Sequence, residues 1–167
     1  IETSKKGQYR IKDNFLAFWF RFVYPMRSFI ESDHPEIAMT KLKTGFIPNH
    51  VGYVYEDICR QKMWELNAQG KLPFLFDRVG RWWGGKDTEI DIVAIDTTDR
   101  SKIIFGECKF HQNVPMQLSE LHQLKEKAAV VPWGNANRDE YFALFCISGY
   151  SEDLQQLAQE DSHLLLM

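Results

Sequence analysis

Two neighbouring, largely apolar stretches with a few charged positions set into them belong together, residues 89–95 (EIDIVAI) and 103–110 (IIFGECKF). Both are rich in β-branched and aromatic residues, which predicts strands. The polar link at 96–102 is short enough for a hairpin-like return, so the two should pair. Further strands are predicted at 74–83 and 141–147, and residues 164–167 resemble a clipped strand. Gly84-Gly85 supplies the turn of the first hairpin.

Helical spacing accounts for most of the rest. Asp13 is the N-cap of a helix over 13–24, stopped by Pro25. A second helical stretch spans 26–43, interrupted near Asp33-His34-Pro35, with His34 in the loop. A third, 49–69, carries the stripe Val51, Val54, Tyr55, Ile58 and Leu66 and ends at Gly70. A fourth, 114–131, carries Val114, Leu118, Leu121 and Ala128, and a last one covers 152–160.

Alternation across a sheet puts Glu107 and Lys109 on one face and Cys108 on the other. Glu89, Asp91, Val93 and Ile95 share a face on the neighbouring strand. A register that sets Asp91 beside Glu107 gathers two carboxylates and an ammonium in an apolar layer. Two carboxylates about 5 Å apart repel by roughly 3 kcal/mol at an effective dielectric of about 20. A divalent cation is the usual compensation. Glu56 lies at the edge of its helical stripe, near Met63, where it can look along the sheet. Lys125 falls inside the stripe of the 114–131 helix. Its stem can carry the ammonium to solvent, or the ammonium can reach the carboxylates, and the second is favoured. Glu89 reads as a strand-end residue. Of Trp82 and Trp83, one ring is expected in the core and one over an edge rather than both on nucleobases.

The chain has 167 residues, enough for one globular domain with a real core, and a hydrophobic content of 44% excludes a disordered tail. A net charge of −3 argues against tight autonomous DNA binding. Cys59, Cys108 and Cys146 form no close pair or metal-ligand spacing; Cys108 and Cys146 sit in apolar strand patterns as core thiols, and the expected compartment is reducing and cytoplasmic. No signal peptide is visible, and the aromatic run 15–24 is too short to span a bilayer and contains Arg21, so no membrane partner is expected. Lys5, Lys6, Arg10 and Lys12 around Gly7 suit either the last wing of a winged helix or a solvated terminus.

Asp91 followed by Glu107-Cys108-Lys109 on adjacent strands resembles the PD-(D/E)XK nuclease superfamily, although Ile90 stands where a Pro is usual. The resemblance covers roughly residues 46–148. It implies an α/β, restriction-endonuclease-like core: helix, three-stranded meander, helix, fourth strand, here with an N-terminal helical extension. It also implies that the first helix contributes one more acid, for which Glu56 is the match. A polar or basic residue on the second helix facing the site supports the second role for Lys125. A narrower resemblance, carried by residues 9–25 (YRIKDNFLAFWFRFVYP) and by Gly80-Arg81-Trp82-Trp83 before Glu89-Ile90-Asp91, is to the C-terminal nuclease-like domain of a prokaryotic AAA-type ATPase family. It implies that residues 1–45 are the remnant of a winged-helix and linker region and that 46–167 are the nuclease-like domain. No Gly-rich phosphate loop occurs and the chain begins with Ile1, so it reads as a C-terminal fragment, with ATP bound only in the N-terminal part.

The expected activity is metal-dependent phosphodiester hydrolysis of nucleic acid, with DNA favoured, by a Mg²⁺- or Mn²⁺-dependent deoxyribonuclease. The metal ligands are Asp91, Glu107, the Cys108 carbonyl and Glu56; Lys109 and Lys125 complete the catalytic set. Expected partners are the nucleic acid, the protein's own ATPase domain, and a second copy through the aromatic helix. One alternative is a catalytically silent nuclease-like module for docking or oligomerisation. Another is a structural salt-bridge cluster, which is weak because buried ion pairs stabilise folds poorly.

Overall fold

In a computed structural model, which describes residues 10–84, 88–134 and 137–167, the fold is mixed α/β. The suggested wing residues Lys5, Lys6 and Gly7, and Gly85 of the first turn, lie outside the described residues. One compact unit ends at Val54 and the other spans Tyr55–Met167. The division thus falls later than the expected 45/46, past the helix Pro35–Phe46 (α3).

In the first unit Asp13 caps α1 (Asn14–Phe18), its carboxylate accepting from the Leu16 N–H at 2.8 Å. Pro25 does not stop the helical path. A π turn at Trp19–Val23 is followed by a 3₁₀ turn, Tyr24–Met26, and then α2 (Arg27–Glu31). Pro25 sits at the start of its turn, where an absent N–H leaves no bond unmade. His34 serves as the N-cap residue of α3. Phe18 and Phe22 pack with Phe46 and His50. Phe15 is 67% exposed, and Leu16, Phe20 and Tyr24 are exposed with it. Within this unit the aromatic cluster takes up only part of the surface of the segment.

The second unit is built on one five-stranded sheet, ordered β1 (Arg78–Trp83), β2 (Glu89–Ile95), β3 (Lys102–Lys109), β4 (Asp139–Cys146) and β5 (Leu164–Leu166). The first three strands are antiparallel, and β4 and β5 add in parallel. The order along the chain is helix α4 (Gly52–Ala68), the β1–β3 meander, α5 (Leu118–Ala128), β4, α6 (Glu152–Glu160), β5. Two apolar layers flank the sheet. Val93, Ile95, Ile103, Phe105 and Leu144 meet Leu121, Leu124 and Ala128 of α5 and Leu154 of α6. Ile92, Ala94, Ile104, Cys108 and Phe145 meet Cys59 and Met63 of α4.

Some boundaries differ from the sequence expectation for local reasons. The buried stripe of α4 is Cys59, Met63 and Asn67, while Ile58 is exposed. β1 begins at Arg78 rather than residue 74, because the Asn67 amide captures both backbone groups of Phe76 at 3.0 Å, leaving none for a strand partner. Helix α5 begins only at Leu118, where Gln117 and Glu120 form a reciprocal capping box. Val114 is consequently outside the helix and exposed. Gly70 terminates α4 at φ 64°, a left-handed conformation that glycine adopts at no steric cost.

Candidate active site

The ladder between β2 and β3 runs from Ile95↔Ile103 to Ile92↔Gly106. Continued by one step it would oppose Asp91 and Glu107, as the alternation predicts, but the strand changes character there. Gly80 pairs with Val93 and Trp82 with Ile90, so two steps on β1 meet three on β2. The extra residue is a β-bulge in the Asp91–Ile92 stretch. Its effect on side-chain direction is visible: Ile90 packs in the α5 layer and Ile92 in the α4 layer, although a regular strand would put them together. Bulges re-aim side chains in this way. The Asp91 carboxylate turns onto the Cys108 N–H at 2.9 Å, and its backbone carbonyl accepts from Arg60 at 3.2 Å.

Glu107 is only 5% exposed, one of the few buried charged side chains. Gly106 before it packs against Ile92 and the Ala143 carbonyl without room for a side chain: an added Cβ would lie 2.9 Å from Ile92 Cβ and 3.1 Å from that oxygen. Glu107 Oε1 accepts from Lys109 Nζ at 2.7 Å, and Oε2 from Lys127 Nζ at 3.0 Å. Burial, and then the charge of Glu107, push the Asp91 pKa up to about 6, against the pull of the Cys108 N–H, Lys109 and Arg81. Burial works against the Lys109 charge, but Glu107, with Asp91 and Glu120, outweighs it and holds that pKa above its ordinary value. The Cys108 thiol is pushed up by its contact with Cys59 and by burial, so it stays protonated. Its side chain packs with Cys59 and Met63 in the α4 layer, which leaves the carbonyl oxygen as the ligand Cys108 would offer a metal.

Glu56 does reach the end of the sheet, but its partners are cations. Its carboxylate pairs with Arg81, and Arg60 lies 3.8 Å away. Arg81 also holds Glu89 at 2.9 Å. Among the described residues no three Asp, Glu, His or Cys side chains gather as a metal-binding group, so the expected three-acid set of Asp91, Glu107 and Glu56 is not assembled. Lys125 is a correction as well. It is exposed, with Nζ 5.2 Å from the centre of the Phe142 ring. Lys127, two residues on, occupies the place expected for it. Glu89 is more than a strand end, since it shares Arg81 with Glu56. Trp82 packs against the core while Trp83 is 50% exposed, as expected of the pair.

Residues 19–128 match the family model DUF234, described as archaeal and bacterial proteins of unknown function. The chain belongs to the DUF234 family. It is also similar to the uncharacterized protein MJECL04 of Methanocaldococcus jannaschii, 35% identical over 142 residues, which cover 84% of this chain and 31% of that protein. The chain therefore spans about a third of the length of this relative. No solved structure matches. The DUF234 span takes in Glu56, Arg81, Asp91, Glu107, Lys109 and Lys127, and ends at the last residue of α5. No helix among the described residues is long and apolar enough to cross a membrane.

Proposed function

We propose that this site hydrolyses phosphodiester bonds of nucleic acid, DNA foremost, with a bound Mg²⁺ or Mn²⁺. We further propose that the second unit is a restriction-endonuclease-like nuclease domain serving an ATPase in the longer protein. The observation that carries the reading is the bulge at Asp91, which turns its carboxylate onto the Glu107-Cys108-Lys109 strand. The helix, meander, helix, strand order supports the fold assignment.

The donor set fits a hard cation. Asp91, Glu107 and the Cys108 carbonyl offer oxygen only, which suits Mg²⁺ and Mn²⁺. The two causes that raise the Asp91 pKa, burial and a neighbouring anion, are those a divalent charge would offset. Asp91, Glu107 and Cys108 would hold the ion, which supplies Lewis acidity and a more acidic water when bound. The chain supplies the rest. Lys109, next to both carboxylates, can donate to the attacking oxygen and stabilise charge growing on the phosphoryl oxygens. Its compact ammonium suits that role. In the balanced reaction one P–O ester bond breaks, a bond to water oxygen forms, and the leaving oxygen takes a proton. Arg81, bound to Glu56 and Glu89, supports the cluster from the side of α4.

One observation favours the silent-module alternative: both oxygens of Glu107 are already occupied by ammonium groups. Cleavage of single-stranded, duplex and branched DNA by the full-length protein, with Mn²⁺ and with or without ATP, decides between the two. Activity lost in Asp91→Asn and Lys109→Ala supports the nuclease. Cleavage unchanged in both variants rules out this site.

A further inference from the structure

We infer that Lys127 is an internal counter-ion that occupies Glu107 until a divalent cation displaces it, so that helix α5 sets the metal affinity of the site. The inference rests on the metal site proposed above. Its basis is geometric. The Glu107 side chain is 7% exposed, and Lys109 and Lys127 take one oxygen each. A buried carboxylate so compensated needs no further positive charge, and an entering ion must remove one of its partners.

The two lysines are not equivalent. Lys109 stands on β3 two residues from Glu107, where Asp91 and Glu120 also attract it. Lys127 comes from the last turn of α5, on a separate element, through a long flexible stem. Both lysine side chains are 31% exposed, so either ammonium can reach water without crossing the core; the difference is that Lys109 is also held by Asp91 and Glu120 on its own side of the site. Neighbouring Leu124 and Ala128 are fully buried and keep α5 in place when Lys127 withdraws. Lys127 is therefore the partner that yields. It is a positioning residue, acting on the ion through Glu107.

The test is Mn²⁺ affinity measured by calorimetry and by electron paramagnetic resonance on the full chain, with no substrate present. Lys127→Met should bind Mn²⁺ at least tenfold more tightly than the parent. Lys127→Arg, which keeps the charge, should stay within about threefold of it. A parent that binds no Mn²⁺ alongside a Lys127→Met variant that does would support the same conclusion. Equal or weaker binding by Lys127→Met overturns it, provided circular dichroism shows the variant folded. If it does not fold, Lys127→Gln replaces it in the same comparison with the same criteria. Asp91→Asn separates the inference from the site: loss of binding there with no Lys127 effect retains the site and rejects the counter-ion. Mn²⁺ binding that survives Asp91→Asn rejects the site itself.

Discussion

Asp91→Asn should stabilise the protein in the presence of a chelator, and only at neutral and alkaline pH. The carboxyl is pushed up to about 6 in the folded chain against 3.8 for an unperturbed side chain. A raised carboxyl pKa means that the folded state binds the proton more tightly than the unfolded state. Below about pH 4 the group is protonated in both states and costs nothing. Between about pH 4 and 6 the unfolded chain gives up its proton while the folded protein still holds it, so the unfolded state is favoured increasingly as the pH rises. Above about pH 6 the full penalty applies. Some two pKa units correspond to about 3 kcal/mol. Asparagine has the same shape, cannot ionise, and still offers an oxygen to the Cys108 N–H, so the hydrogen bond at 2.9 Å is retained. Urea unfolding in EDTA should therefore show the variant about 1–3 kcal/mol more stable than the parent at pH 8 and equal to it near pH 4. Added Mn²⁺ should raise the midpoint of the parent and leave the variant unchanged. A variant that is less stable at pH 8, or offset equally at both pH values, would refute the argument. Asp91 would then be a structural hydrogen-bond acceptor whose charge the fold requires.

Three further outcomes are expected. Lys109→Met should reduce cleavage by about 100-fold or more without weakening Mn²⁺ binding, because an ammonium stabilises charge but ligates no metal; the two are read by a gel assay and by calorimetry. Asn67→Ala should cost about 1–3 kcal/mol in denaturant unfolding, since it strips both backbone partners from buried Phe76. Gly106→Ala should cost a similar amount, about 1–3 kcal/mol, because its methyl group would press on Ile92 and on the Ala143 carbonyl between two strands; a melting temperature equal to that of the parent would show that the sheet can part there freely.

The acids of the candidate site were legible in the sequence, and their partners were not. Runs of β-branched and apolar residues identified the strands of Asp91 and Glu107 to within a residue, because strands covered on both faces are buried over most of their length. The bulge that aims Asp91 has no such signature. It is a mismatch between two strands, Gly80↔Val93 against Trp82↔Ile90, and exists only once they are paired. The lysine of α5 shows how a small error of phase becomes an error of identity. The stripe read as Val114, Leu118, Leu121 and Ala128 leaves out Leu124, and Lys125 falls within it. Leu121, Leu124 and Ala128 are the buried positions. At about 100° per residue, the axis through Leu121, Leu124 and Ala128 lies about 40° from that of the expected stripe. Lys125 then leaves the buried face, and Lys127 stands at its opposite border, where it reaches Glu107. Glu56 was placed correctly at the edge of α4, yet the arginines that claim it come from a separate strand and from one turn further along its own helix. Alternation and helical spacing report which side of an element is buried. They do not report which charge on the next element arrives there, and in this fold that second fact decides whether a buried glutamate is open to a metal or already compensated.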